Sequence, residues 1–289
     1  MSEQSAHTLT EPPPKSLRCM EIWGGNQAFD NAISVSGMDA WLYSRPYRDA
    51  DSGGDIYYVS TCGHGRIARF AVADVAGHGA HVGRLGARLR MLMRKHINTL
   101  DQARFVRMLN EEFLRFDAGG KFATALLTSY YAPTDDLVVC NAGHPPPLWY
   151  RADTDTWQLL TQSSPQTVNK VFNLPLGIIE PTPYFQFAVK LARNDVILIH
   201  TDSLTEATNK QGRQLTSEGL LNLARKLDPT EPQRIKDAVL AAVRAYQGHD
   251  DFTDDVTLLV LHHNAADPPR MSVTDYATVM GKALRLIKV

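Results

Sequence analysis

The chain has 289 residues, 44% hydrophobic and 21% charged, the make-up of an ordinary globular protein with length for one large domain or two small ones. A formal net charge of −1 supplies neither a basic field for nucleic acid nor an acidic tail for a basic partner. Its three cysteines, Cys19, Cys62 and Cys140, are few and widely spaced, which argues against a disulfide framework and for a reducing compartment.

In chain order, residues 1–18 are polar, carry three consecutive prolines and read as a flexible arm. They contain acids and no apolar stretch, unlike a secretory signal. No apolar run approaches the roughly 20 residues that span a bilayer, so the expectation is a cytoplasmic protein without membrane contact. A short strand is expected around Trp41–Tyr43. "DIYYVST" (55–61) and residues 66–75 are expected to form two strands joined by the turn "CGHG". After Gly79, Val82, Leu85, Leu89 and Leu92 recur at helical spacing, while Arg84, Arg88, Arg90 and Arg94 read as a solvated face. Gly83 and Gly86 weaken that helix and predict close approach to a neighbour. A second helix is expected over 101–115.

Strands then recur at "KFATALLTSYY", "DLVVCNAG", "PPLWYR" and "WQLLT", separated by turn chemistry at "PTDD" and "ADTDT". "TQSSPQTVNK" reads as a polar loop. "YFQFAVKL" and "DVILIHTD" are strands, 216–227 and 231–246 are helical by period, and "DDVTLLVLHH" is a final core strand. Residues 264–289 open as a linker and end in a short helix; residues 19–263 are left as the folded domain. Strands bracketing paired helices suit an α+β architecture with antiparallel sheets rather than parallel βαβ alternation.

The acids at strand ends carry the chemistry. If the chain reverses near His64, Asp55 and Asp74 fall almost opposite each other at the open end of one hairpin. Asp202 ends "DVILIHTD" and Asp254 precedes "VTLLVLHH", with Asp255 between, so these acids also meet if the two strands run antiparallel. Four carboxylates without evident cationic partners in sequence repel one another, and a divalent cation or a pair of them resolves the conflict. All-oxygen donors select Mg²⁺ or Mn²⁺ over Zn²⁺. Gly77 and Gly79 let the backbone pass close to ions and substrate. No cysteine begins a Cys-x5-Arg loop, so a thiolate phosphoester nucleophile is unsupported.

Seven segments in order, "SGGDIYY" (52–58), "VADVAGHG" (72–79), "FATALLTSYY" (122–131), "NAGHPPPLWYR" (141–151), "LPLGI" (174–178), "DVILIHTDSLTEATN" (195–209) and "DDVTLLVL" (254–261), resemble the SpoIIE-type serine phosphatases, a bacterial branch of the metal-dependent type-2C (PPM) protein phosphatases. The resemblance covers roughly residues 36–263. It implies a central β-sandwich of two antiparallel sheets flanked by helices on both faces. It also implies that Asp55, Asp74, Asp202 and Asp254, with the backbone carbonyl of Val75, bind two Mn²⁺ or Mg²⁺ ions. The implied reaction is hydrolysis of phosphoserine or phosphothreonine by a water bridging the two metals. The implied partner is a phosphorylated protein, such as an anti-sigma-factor antagonist in a partner-switching pathway. Ser203 stands where the family usually has glycine, and of the two acids in "TDDVT" that could coordinate, the family register favours Asp254, with Asp255 as its neighbour.

His78 is a candidate general acid for the leaving seryl oxygen, or a turn histidine bonding to backbone. His144, in "AGHPPP", suits packing or hydrogen bonding more than chemistry. Arg48 is a candidate fork donor to phosphate. Two rival readings are a catalytically silent binding module, which loss of the acids would indicate, and a hydrolase of small phosphoesters.

Overall fold

A computed structural model of the chain describes residues 15–16, 22–63, 65–77, 80–96, 99, 101–116, 120–162, 171–268 and 270. Strands β1 (Lys15–Ser16), β2 (Ile22–Gly25), β3 (Phe29–Val35) and β4 (Met38–Arg45) and a 3-10 turn (Tyr47–Asp49) precede the hairpin of β5 (Asp55–Cys62) and β6 (Ile67–Val75). Helices α1 (Ala80–His96) and α2 (Gln102–Phe116) follow, then β7 (Ala123–Tyr131), β8 (Asp136–Ala142), β9 (Leu148–Arg151), β10 (Thr156–Leu159), β11 (Gln186–Lys190) and β12 (Val196–His200). A single turn, α3 (Asp202–Thr205), then α4 (Thr216–Ala224) and α5 (Pro232–Gln247) lead to the last strand, β13 (Val256–His263).

These strands form two sheets, ordered β1-β3-β4-β13-β12-β9-β10 and β11-β8-β7-β6-β5-β2. Apart from the two-residue β1, which lies parallel to β3 at one edge, the pairings are antiparallel. Alternation along each strand splits the side chains between two environments. In β5 and β6, Tyr57, Val59, Phe70 and Val72 fill the space between the sheets. Their neighbours Ile56, Tyr58, Ala71 and Ala73 pack under α1 and α2. In β13, Leu259 and Leu261 face the other sheet, whereas Leu258 and Val260 pack under α4 and α5 with Leu220, Ile235 and Val239. The result is the expected α-β-β-α layering.

Helix α1 buries Val82, Leu85, Leu89 and Leu92. The close approach predicted from its glycines is present: a Cβ on Gly83 would stand 2.7 Å from Ser52 Oγ, and one on Gly86 3.1 Å from the Gly53 carbonyl oxygen. Helix α1 therefore lies directly on the Ser52–Gly54 loop that leads into β5. One arginine departs from the expected solvated face: Arg90 donates to the Gly24 carbonyl at 2.8 Å and ties α1 to β2.

Strands β2 and β3 escape the sequence reading because Gly24, Gly25, Asp30 and Asn31 are poor strand formers. Strand β4 is longer than the expected Trp41–Tyr43 because β3 and β13 pair along both its edges. Lys15–Ser16 lie within the stretch expected to be a mobile arm yet pair with β3. The expected C-terminal helix lies outside the described residues.

Candidate metal centre

The apolar filling between the sheets stops at one end in a row of polar side chains. Asp55 and Asp74 are direct cross-strand partners in the β5–β6 hairpin, as the residue count to the turn predicts. Thr124 of β7 is the next member of the row, opposite Asp74. Two residues further in, Tyr57, Val72 and Leu126 occupy the same face and belong to the core between the sheets. The row is thus the last layer of the sandwich, and its side chains look toward the other sheet.

That sheet answers with Thr201, whose hydroxyl donates to Asp55 Oδ2 at 2.9 Å and accepts from the Thr257 backbone N–H at 2.9 Å. Strands β12 and β13 run antiparallel with His200 opposite Leu258, so Asp202 and Asp254 emerge at this same end. Strand β12 stops sooner than the sequence predicts: it ends at His200, and Asp202 is the first residue of α3. Ser203 is buried inside that turn. It is absent from the positive-φ positions, so a non-glycine side chain fits there without strain.

Electrostatics set this end apart. Burial, then the neighbouring charges of Asp74 and Asp255, push the Asp55 carboxyl well above the usual carboxylate range. Asp74 is pushed up to about 8, first by burial and then by Asp202, Asp254, Asp255 and Glu206. Asp202 rises to about 6 through burial, Glu206 and Asp254. The charges acting most strongly on Asp74 are all negative, the signature of like charges forced together rather than of a salt-bridge network. Glu206 is absent from the sequence reading. Its signal is its spacing four residues after Asp202, where its N–H donates to the Asp202 carbonyl at 2.8 Å.

Asp254 and Asp255, adjacent in sequence, have different surroundings. The Asp255 carboxylate is buried and accepts from the Tyr47 N–H at 2.6 Å and the Gly54 N–H at 2.5 Å. It fits only because residues 53 and 54 carry no side chain: a Cβ on Gly53 would stand 2.5 Å from its Cγ. A Cβ on Gly54 would stand 2.8 Å from the Val75 carbonyl oxygen, so that oxygen also stays open because of glycine. Asp255 is committed to shaping the loop before β5. Asp254 is half-buried, and its side chain accepts from the Asp255 N–H at 2.8 Å.

Among the described residues, no three His, Cys, Asp or Glu side chains stand together at ion-holding distance. The donor set nonetheless fits a hard divalent cation. It is all oxygen, it is rich in carboxylates, and the carboxyls of Asp55, Asp74 and Asp202 are held above their ordinary proton affinity, which a cation relieves.

His78 and Gly79 lie outside the described residues. Gly77 adopts φ +102, which only glycine accepts readily, and the Lys121 ammonium stands 2.9 Å from where its Cβ would be. Sequence reasoning passed over this lysine, which precedes β7 and carries no motif of its own. Arg48 has left-handed backbone and lies with Cζ 5.0 Å from the centroid of the Tyr47 ring. Together with Arg45, Phe252 and Asp254 it lines a cavity of about 370 Å³ beside the acids. His144 is buried, with Nδ1 2.9 Å from the Thr124 hydroxyl.

The family model described as Stage II sporulation protein E (SpoIIE) matches residues 64–264. That span holds Asp74, Asp202 and Asp254, while Asp55 precedes it and is joined to the site by strand register. Phosphoserine phosphatase RsbU of Bacillus subtilis (strain 168) is 24% identical over 191 residues, 63% of this chain and 53% of its own. The chain thus spans about half the length of that curated relative. The crystal structure of the RsbU and RsbW domains of Rv1364c from Mycobacterium tuberculosis is 25% identical with a TM-score of 0.67, covering 87% of this chain and 68% of that one. The PP2C phosphatase domain of SpoIIE from Bacillus subtilis, solved with a fragment of its regulatory domain, is 17% identical with a TM-score of 0.63, covering 85% and 64%. At that identity the likeness speaks for the fold alone.

Proposed function

The chain belongs to the SpoIIE family, and from that premise we propose that it is a metal-dependent protein serine/threonine phosphatase. Asp55, Asp74, Asp202 and Asp254, with the Val75 carbonyl, hold two Mn²⁺ or Mg²⁺ ions. When bound, such ions supply Lewis acidity toward phosphoryl oxygens, a lowered pKa for the attacking water, and charge neutralisation in an in-line displacement. The chain supplies the rest. Thr201 orients Asp55 from the facing sheet. Asp255 fixes the loop that leads into Asp55 through two backbone N–H groups. Arg48 borders the adjoining cavity, from which a guanidinium can reach phosphate or its flanking residues. His78 gives the proton to the departing seryl oxygen.

The observation that carries this reading is the facing pair Asp55 and Asp74, buried in a field made by further acids from the second sheet. A structural pair of that kind would need cations or donors to offset it. The proposed substrate is a phosphorylated protein of the anti-sigma-factor-antagonist type. Support comes from the relative named phosphoserine phosphatase RsbU and from the neighbour whose single chain holds RsbU and RsbW domains. No helix among the described residues is long and apolar enough to cross a membrane, and a cytoplasmic site of action is part of the proposal.

The test is turnover of phosphopeptides and of an aryl phosphate with Mn²⁺, with and without chelator, for the natural chain and Asp74→Asn. Expected is metal-dependent phosphopeptide hydrolysis that falls by about 10²–10³-fold or more in the variant. Equal rates in the two proteins would remove Asp74 from the mechanism. Turnover of the aryl phosphate alone would make the enzyme a small-phosphoester hydrolase.

A further inference from the structure

Two segments of the motif series, "FAT" (122–124) and "NAGH" (141–144), contribute none of the acids, yet they converge directly behind them. His144 is held in place twice through its own backbone: its N–H donates to Asn141 Oδ1 at 2.8 Å, and its carbonyl accepts from Asn141 Nδ2 at 2.9 Å. This fixes the imidazole at the end of β8, with Nδ1 2.9 Å from the hydroxyl of Thr124, the cross-strand partner of Asp74. The other side of the ring meets the facing sheet, where the imidazole and backbone of His200 both act on it. Its Nε2 is buried, with no partner at hydrogen-bond distance among the described residues. His200 in turn bonds through Nδ1 to the carbonyl of Thr201, at 3.0 Å. Thr201 is the residue that holds Asp55 and precedes Asp202.

A series of neighbours therefore runs from Asp74 through its cross-strand partner Thr124 and His144 to His200, Thr201 and the two acids beyond. A centre assembled from two sheets needs their separation fixed at that end, and apolar packing cannot do this where the core has given way to acids.

We propose that His144 is a positioning residue for the metal centre, a buried strut that braces Thr124, and through it Asp74, against the end of β12 that leads to Thr201 and Asp202. This rests on the reading of the acids as ion ligands. It assigns to "NAGH" the task of setting the spacing between the Asp74 side and the Asp202 side of the site.

The experiment is calorimetric titration of Mn²⁺ into the natural chain, His144→Ala, His144→Asn, Thr124→Val and the double variant His144→Ala/Thr124→Val, with phosphopeptide kcat and KM measured at saturating Mn²⁺. Expected is Mn²⁺ affinity weaker by roughly tenfold or more in His144→Ala, the size typical of groups that orient ligands. Thr124→Val, which keeps the shape of the side chain, should weaken binding similarly. The double variant should be no worse than the weaker single one, and His144→Asn, whose amide can hydrogen-bond the Thr124 hydroxyl in place of Nδ1, should regain part of the loss. Phosphopeptide KM should stay unchanged. Natural Mn²⁺ affinity in both Thr124→Val and His144→Ala, even with a lowered melting temperature, would overturn the inference and leave His144 a packing residue. Absence of Mn²⁺ binding by the natural chain would instead overturn the reading of the acids themselves.

Discussion

The two ends of the sandwich both bury aspartates, and they treat them in opposite ways. At the end away from the Asp55–Asp74 pair, Asp195 accepts three hydrogen bonds, from Trp149 Nε1 at 3.1 Å, the Ala152 N–H at 2.8 Å and the Ala192 N–H at 3.0 Å. Nearby Asp135 accepts from the Tyr130 hydroxyl at 2.8 Å and lies 3.0 Å from His263 Nε2. Burial and Asp135 drive the Tyr130 hydroxyl far above its ordinary pKa, so it remains a donor. These acids are supplied with donors, and their charge is spent on holding strands. At the other end Asp55 has the Thr201 hydroxyl, while Asp74 is surrounded chiefly by other acids. The comparison separates architecture from function better than burial does: an acid supplied with donors is a brace, and one supplied with repulsion awaits a cation.

Substitutions at the two ends should sharpen the difference. The largest effect expected is on catalysis by Asp254→Asn, a loss of about 10²–10³-fold at little cost in folding, since it removes a repelling charge. Its neighbour should behave in reverse. Asp255→Asn places an amide donor against a backbone N–H of Tyr47 or Gly54, and should cost stability of about 1–3 kcal/mol in urea unfolding. If Asp255→Asn unfolds like the natural chain and abolishes Mn²⁺ binding, the roles of the two acids are exchanged.

At the far end, Asp195→Ala strands the Trp149 indole and two backbone N–H groups. The expected loss is about 3 kcal/mol of stability, with Mn²⁺ affinity untouched. A fall in Mn²⁺ affinity would mean that the ends are coupled and the contrast is false.

A smaller, graded effect concerns pH. The raised carboxyls of Asp74 and Asp202 bind protons more tightly when folded than when unfolded. Their unfavourable contribution is absent below the unfolded carboxylate pKa of about 4 and grows as pH rises toward about 6 for Asp202 and about 8 for Asp74. Metal-free protein should therefore lose stability across that window, measured as urea midpoints against pH, and saturating Mn²⁺ should remove the slope. A flat metal-free profile would mean that the acids are compensated after all.

Much of this was legible in the residues. Counting from the turn near residue 64 was enough to pair Asp55 with Asp74, because an antiparallel ladder converts sequence distance into register. Gly83 and Gly86 announced the close approach of α1, since a helix tolerates paired glycines mainly for such a reason. Strands β2 and β3 were missed because their stability comes from pairing with β5 and β4 rather than from their own composition. The family register favoured Asp254 over Asp255, but the different surroundings of the two acids were not in the sequence. That difference depends on Tyr47 and Gly54, about 200 residues away, whose N–H groups hold the Asp255 carboxylate. The approach of His144 to His200 was hidden for the same reason, as a product of how the two sheets face each other, whereas Glu206 carried a local signal in its spacing four residues after Asp202.

The most direct test of the centre is the anomalous scattering of manganese in crystals of the chain grown with Mn²⁺. The account predicts peaks between the sheets at the Asp55–Asp74 end, with oxygens of Asp74 and of Asp202 or Asp254 within roughly 2.0–2.6 Å. Manganese bound elsewhere, or no peak at that end in crystals of Mn²⁺-dependent active protein, would contradict it.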